Sequence, residues 1–129
     1  MKSGSYFSEN ITLTRRILSE LSSFADHGFR VTDNNSSAIK ENELVIISVG
    51  PQDAERVLNS FKDDLNPERH ILISTITGVS IDKIQNVIGD HISIVRIMPN
   101  TAVAICESMT CIAATDEHSE SLVVVKKVF

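Results

Sequence analysis

Two adjacent arginines, Arg15 and Arg16, follow Thr14 at the end of a short apolar run that begins at Ile11. A guanidinium can hold a phosphate in a forked contact and stack its flat face on an adenine. Where a dinucleotide-binding fold presents an acid to a plain ribose, cations and a hydroxyl suit a 2′-phosphorylated one, and Thr14, Arg15 and Arg16 are of that second kind. The same residues also read as an exposed helix start with incidental cations. Asn35 follows another short apolar run, where its amide could reach the adenosine half of a ligand, although Asx residues equally serve turns and caps. Val49, Gly50 and Pro51 end the most hydrophobic run of the chain; a glycine there admits close backbone approach to a ligand, or simply stops a strand. Thr77 and Gly78 end the next apolar run. In Arg96-Ile97-Met98-Pro99-Asn100-Thr101 a proline stops a buried strand and presents an amide and a hydroxyl, suited to pairing a carboxamide or to capping a short helix. His27, His70, His91 and His118 have no metal-ligand spacing, Glu107 has no acid partner, and no metal site is expected.

These residues acquire a common position once the elements are read. Short β-branched runs, apolar almost throughout, predict strands at Ile11 to Thr14, Arg30 to Thr32, Leu44 to Val49, His70 to Thr75, Ile92 to Met98 and Met109 to Ala114. Apolar residues at helical spacing lie between them. Ile17, Leu18, Leu21, Phe24 and Ala25 run up to Gly28; Ala54, Val57, Leu58, Phe61 and Leu65 follow; Ile81, Ile84 and Ile88 run up to Gly89; Leu122, Val125 and Phe129 come last. The glycines at 28 and 89 are placed as left-handed helix stops. Alternating strand and helix predicts an α/β fold, a partial Rossmann-like doubly wound, mostly parallel sheet with flanking helices. Such a sheet binds ligands beyond the carboxyl ends of its strands, where all the segments singled out above fall.

The 129 residues are 42% hydrophobic, enough for one core, and the formal charge of -5 is scattered, with no basic run to track nucleic acid. Two cysteines, Cys106 and Cys111, make no disulfide scaffold, and no segment has the length or apolarity of a signal or membrane span. A cytoplasmic protein without nucleic-acid or membrane partners is expected.

Beyond these patterns the chain resembles the pyrroline-5-carboxylate reductases from about Ile11 onward. Residues 11–16 resemble that family's second strand and ribose-phosphate segment, and residues 32–35 the turn whose asparagine contacts the adenosine ribose. Val45 to Gln52 is similar to its strand ending in Ala-Val-Lys-Pro-Gln, and Ser74 to Ile81 to its Ser-Ile-Ala-Ala-Gly-Val-Ser-Ile stretch. Arg96 to Ala102 with Glu107 to Thr110 is similar to its Arg-Val-Met-Pro-Asn-Thr-Pro and Glu-Gly-Met-Thr signature. Gly50 stands for the usual lysine, Ile76 and Thr77 for paired alanines, Ala102 for proline and Ser108 for glycine. The resemblance implies NAD(P)H-dependent reduction of 1-pyrroline-5-carboxylate to proline, with NADP(H) preferred and NAD(H) possible. It places Arg15, Arg16 and Asn35 at the adenosine end and Pro51, Thr77, Asn100 and Thr101 toward the nicotinamide, and implies no catalytic acid in this chain. Other reductases sharing the nucleotide domain, such as hydroxyacid dehydrogenases or deazaflavin-dependent NADP reductases, are the alternative, as is a non-catalytic module.

The family begins with a strand and a Gly-x-Gly-x-x-Gly turn that holds the pyrophosphate, and ends in a helical dimerisation domain that supplies much of the imine pocket. The glycines at 4, 28, 50, 78 and 89 cannot spell that turn. Residues 1–129 are thus expected to form a truncated NAD(P)-binding domain, with Lys2-Ser3-Gly4 as the tail of the family's first helix and the C-terminal domain absent. The strands at Ile11 and Leu44 would then flank a gap, closed by their direct pairing or, as favoured here, by association into a homo-oligomer. The chain alone is expected to reduce no pyrroline-5-carboxylate; consumption of NADPH with that substrate well above a no-protein control would contradict this.

Overall fold

The computed structural model describes residues 7–98, 111–115 and 119–128. Leu72 and Ile94 are fully buried against helices on one side of a sheet, and Ile73 and Val95 are fully buried on the other. Neighbours in sequence point to opposite faces of a strand, so an unbroken apolar run is stable only when both faces are covered. Strands β3 (Leu44–Ile47), β4 (Ile71–Ser74), β5 (Ser93–Met98) and β6 (Cys111–Ala114) pair in that order, and the central β4 and β5 meet that condition. The first three run parallel and β6 antiparallel to β5. One face packs on α2 (Asn35–Glu41), α3 (Ala54–Asn59) and α4 (Ile81–Ile88) through Ile39, Leu58 and Ile84, and the other on α5 (Ser119–Val128) through Val125. The mostly parallel, two-sided α/β arrangement expected from the sequence is therefore present.

A second sheet holds β1 (Thr12–Thr14) and β2 (Arg30–Thr32), also parallel, joined through a four-residue 3-10 turn and the short α1 (Ser22–Asp26). The stripe from Ile17 to Ala25 buries only Leu21, and Ile17, Leu18 and Phe24 stay exposed. Gly28 ends α1 as predicted, at φ +87°. Its N–H donates to the Ala25 carbonyl at 2.9 Å and the Phe29 N–H reaches back to Phe24 at 3.1 Å, while the rings of Phe24 and Phe29 meet edge to face, the pattern of a Schellman stop. Gly89 corrects the expectation of a left-handed stop: with φ 94° and ψ 161° it leaves α4 extended, because the chain turns straight toward β5.

The amino-terminal edge is tied down by two buried or half-buried side chains. His70 takes the Asn66 N–H on Nδ1 at 2.7 Å, so its Nε2 carries the proton that points at the Ile39 carbonyl, 3.2 Å away. Asn42 donates to the Ala38 carbonyl at 2.7 Å and to the Thr12 hydroxyl at 3.3 Å, holding the starts of β1 and β3 side by side.

Beyond that point β1 and β3 do not pair with each other. The carbonyls of Glu43 and Ile47 accept from Ile71 and Thr75, each at 3.0 Å. Because backbone groups alternate in direction along a parallel strand, those of Leu44 and Ile46 face the opposite edge, which pairs with no strand among the described residues. Likewise Ile11 and Arg15 bond β2 at 3.1 and 3.2 Å, which turns the backbone groups of Thr12 and Thr14 outward. The Ile46 side chain is 51% exposed, since α5 covers β5 and β6 but not β3. Unpaired, apolar edges of this kind favour pairing with another chain. The expected outcome is concentration-dependent self-association; a single species of monomer mass at every concentration in sedimentation would contradict it.

Candidate functional site

Parallel strands joined by crossovers finish on one edge, and that edge collects most of the residues singled out from the sequence. Thr14 ends β1, exposed. Arg15 and Arg16 lie beyond it, with Arg16 in a bend that precedes the 3-10 turn, so they do not start a helix. The Arg15 N–H donates to Thr32 at 3.2 Å, fixing its backbone to the end of β2. Its side chain is half exposed and its Nε contacts the carboxylate of Glu20.

Asn35 is the first residue of α2, half buried. Capping falls to its neighbour: the Asn34 side chain accepts from the Ser37 N–H at 3.1 Å, and the Asn34 N–H donates to the Thr32 hydroxyl at the same distance. The turn and cap reading thus belongs to Asn34, while Asn35 begins the helix just after β2. The helix that follows was not expected, because Asn35-Ser36-Ser37 reads as a polar turn.

Strand β3 stops at Ile47, two residues earlier than its apolar run predicts, so Val49, Gly50 and Pro51 belong to the loop. Val49 packs its side chain on the core, leaving only backbone to face the edge. The Gly50 carbonyl accepts from the Asp53 N–H at 2.9 Å in the turn that leads into α3. Thr77 is exposed after β4, next to Gly78 at φ +75°, whose missing Cβ leaves open space. Pro51 and Gly78 line opposite sides of a cleft of about 470 Å³ between α3 and α4, with Leu58 in its lining and Lys83 and Asn86 beside it. Asn100 and Thr101 lie outside the described residues.

The Arg56 guanidinium hydrogen-bonded to Asp53 holds its carboxyl below the usual carboxylate range against the cost of desolvation, and the charges of Arg56 and Arg16 lower it further. Arg16, two residues beyond β1, has the smallest of these effects on Asp53. Neither Glu20 nor Asp53 was singled out from the sequence: Glu20 is five residues from Arg15, off the helical i, i+4 spacing, and Asp53 is remote from Arg16. Exposed guanidinium groups, a hydroxyl and an amide at the ends of β1 and β2 have the donor chemistry that a phosphorylated ribose requires. Among the described residues no cluster of three His, Cys, Asp or Glu could hold a metal ion, and no helix is long and apolar enough to cross a membrane.

The family model described as "NADP oxidoreductase coenzyme F420-dependent" matches residues 1–78, more than half of the chain. The chain belongs to that family. Within it the likeness runs to pyrroline-5-carboxylate reductases. Pyrroline-5-carboxylate reductase 1 of Dictyostelium discoideum is 39% identical over 114 residues, which are 88% of this chain and 20% of that protein. The pyrroline-5-carboxylate reductase structure from Coxiella burnetii superposes with a TM-score of 0.86 at 26% identity, covering 95% of this chain and 46% of the other. The Plasmodium falciparum pyrroline carboxylate reductase, solved with NADP bound, has the same fold at a TM-score of 0.64 and 23% identity, over 74% of this chain and 37% of its own. The chain thus spans less than half the length of each.

Asp53 supplies a check on this geometry. A carboxylate with a lowered pKa contributes stability that is complete above its unfolded value and is lost as pH falls through the folded one. Arg56→Ala is expected to raise the Asp53 titration midpoint, followed by carboxyl NMR, and Arg16→Ala to raise it by less. An unmoved midpoint in Arg16→Ala would separate Arg16 from the β3 loop.

Proposed function

We propose that this chain is the cofactor-orienting part of an NADPH-dependent pyrroline-5-carboxylate reductase, which converts 1-pyrroline-5-carboxylate to proline and works as a homo-oligomer. The observation that carries the reading is that Thr14, Arg15 and Arg16 follow β1 while the Val49 to Pro51 loop and Thr77 follow β3 and β4, all at carboxyl ends of parallel strands, in a chain whose relatives bear that enzyme's name. The bound cofactor would supply a hydride from its nicotinamide ring to the carbon of the substrate's C=N bond, whose nitrogen is protonated. Arg15 and Arg16 hold the 2′-phosphate and the adenine face. Asn35, positioned by the Asn34 cap, serves the adenosine ribose. Val49, Gly50 and Pro51 present backbone alongside the cofactor, and Thr77 faces its nicotinamide half; Asn100 and Thr101 are assigned to the carboxamide by their motif. None of these residues moves a proton in the reaction, so this segment contributes orientation and affinity.

A charge-assisted hydrogen bond contributes roughly 1.5–3 kcal/mol, about one to two powers of ten in affinity. Replacing both arginines by alanine is therefore expected to weaken NADPH binding at least tenfold more than NADH binding, measured by titrating the cofactor's fluorescence. Equal losses for the two cofactors would reduce the arginines to shaping the connection after β1.

A further inference from the structure

Arg15 already has an anion on it. The Glu20 carboxylate contacts its Nε, and the two side chains are 58% and 43% exposed. Glu20 lies in the 3-10 turn that follows the arginines, and Leu21 beside it is buried, which fixes where that turn can present the carboxylate. An exposed ion pair is weak, worth about 0–1 kcal/mol, so a dianionic phosphate offering a forked contact can take the guanidinium from it. The carboxylate does not leave when that happens. Buried Leu21 tethers its backbone next to the guanidinium, so it stays near the incoming phosphate as a like charge. A plain ribose meets the opposite situation, because a carboxylate in this place is an acceptor for its hydroxyls.

We propose that Glu20 sets the cofactor preference: it is an internal competitor for Arg15 that lowers the affinity of a 2′-phosphorylated nucleotide and supports an unphosphorylated one. The inference rests on the reading of Arg15 as the phosphate-holding residue. Glu20 acts through Arg15 in the first role and directly on the ribose in the second.

The test compares adenosine 2′,5′-bisphosphate with adenosine 5′-monophosphate on the full chain, with the Arg15 side-chain Nε–H resonance as a second readout. Glu20→Gln keeps the length and polarity of the side chain and removes its charge. It is expected to tighten the bisphosphate about threefold to fivefold, the factor that a weak exposed ion pair amounts to, to leave the monophosphate equal or weaker, and to shift the Nε–H signal before any ligand is added. Glu20→Asp is expected to restore part of the wild-type ratio, which a general effect on folding would not do. A Glu20→Gln chain that binds the bisphosphate no more tightly than wild type, including one that binds neither nucleotide, overturns the proposal. Arg15→Ala separates the two ideas. If it leaves bisphosphate binding unchanged, the phosphate-holding role itself fails; if it abolishes binding while Glu20→Gln brings no gain, only the role of Glu20 fails.

Discussion

Parallel pairing is the constraint from which the rest follows. Two parallel neighbours cannot be joined by a tight turn, so the chain must leave β3, cross a face of the sheet as α3 and re-enter at the start of β4, and repeat the crossing as α4 before β5. Each crossing buries an apolar face, Leu58 from α3 and Ile84 from α4, on the side where Leu72 and Ile94 project. Each also returns the chain so that the strands all finish on the same edge. The loops that carry Pro51 and Thr77 therefore begin about 4.8 Å apart, the spacing of neighbouring strands, although 26 positions separate them in sequence.

The two edges of the sheet are built differently. On the amino-terminal side His70 and Asn42 use directed, part-buried hydrogen bonds to join β4 to α2 and β1 to the entry of β3. On the carboxyl side the charged groups are exposed and their pairs, Arg15 with Glu20 and Arg56 with Asp53, add little to stability. Weak pairs are easily exchanged for a ligand's charges. Rigid support on one edge and replaceable contacts on the other is the division that a binding site on a scaffold requires.

Legibility of the sequence followed burial. Ile71 to Ser74 runs between two covered faces and is a strand, and Leu44 to Ile47, which packs Val45 and Ile47 against the helices, is its parallel neighbour. Ile81, Ile84 and Ile88 lie at helical spacing over the sheet, and they are a helix. Where burial is partial the same patterns misled. The stripe from Ile17 to Ala25 has helical spacing yet is a 3-10 turn followed by a five-residue helix, with most of its apolar residues exposed. Asn35 to Glu41 is a helix that buries only Ala38 and Ile39, too few apolar residues to make a stripe. Thr14, Arg15, Arg16, Pro51 and Thr77 were legible as edge residues because strand ends locate them. Glu20, the partner of Arg15, was not, since their five-residue separation follows no spacing rule and the pairing depends on how the loop turns.

Arg15 and Arg16 ride on the two-stranded sheet, whereas Pro51 and Thr77 ride on the four-stranded one, and no backbone ladder joins β1 to β3. A molecule that grips both sets acts as a splint. Part of its interaction energy goes into fixing the mutual attitude of the two sheets, so the affinity measured is lower than its contacts alone would give. By the same linkage the molecule, once seated, strengthens the fold that holds it, and melting behaviour becomes a reporter of occupancy.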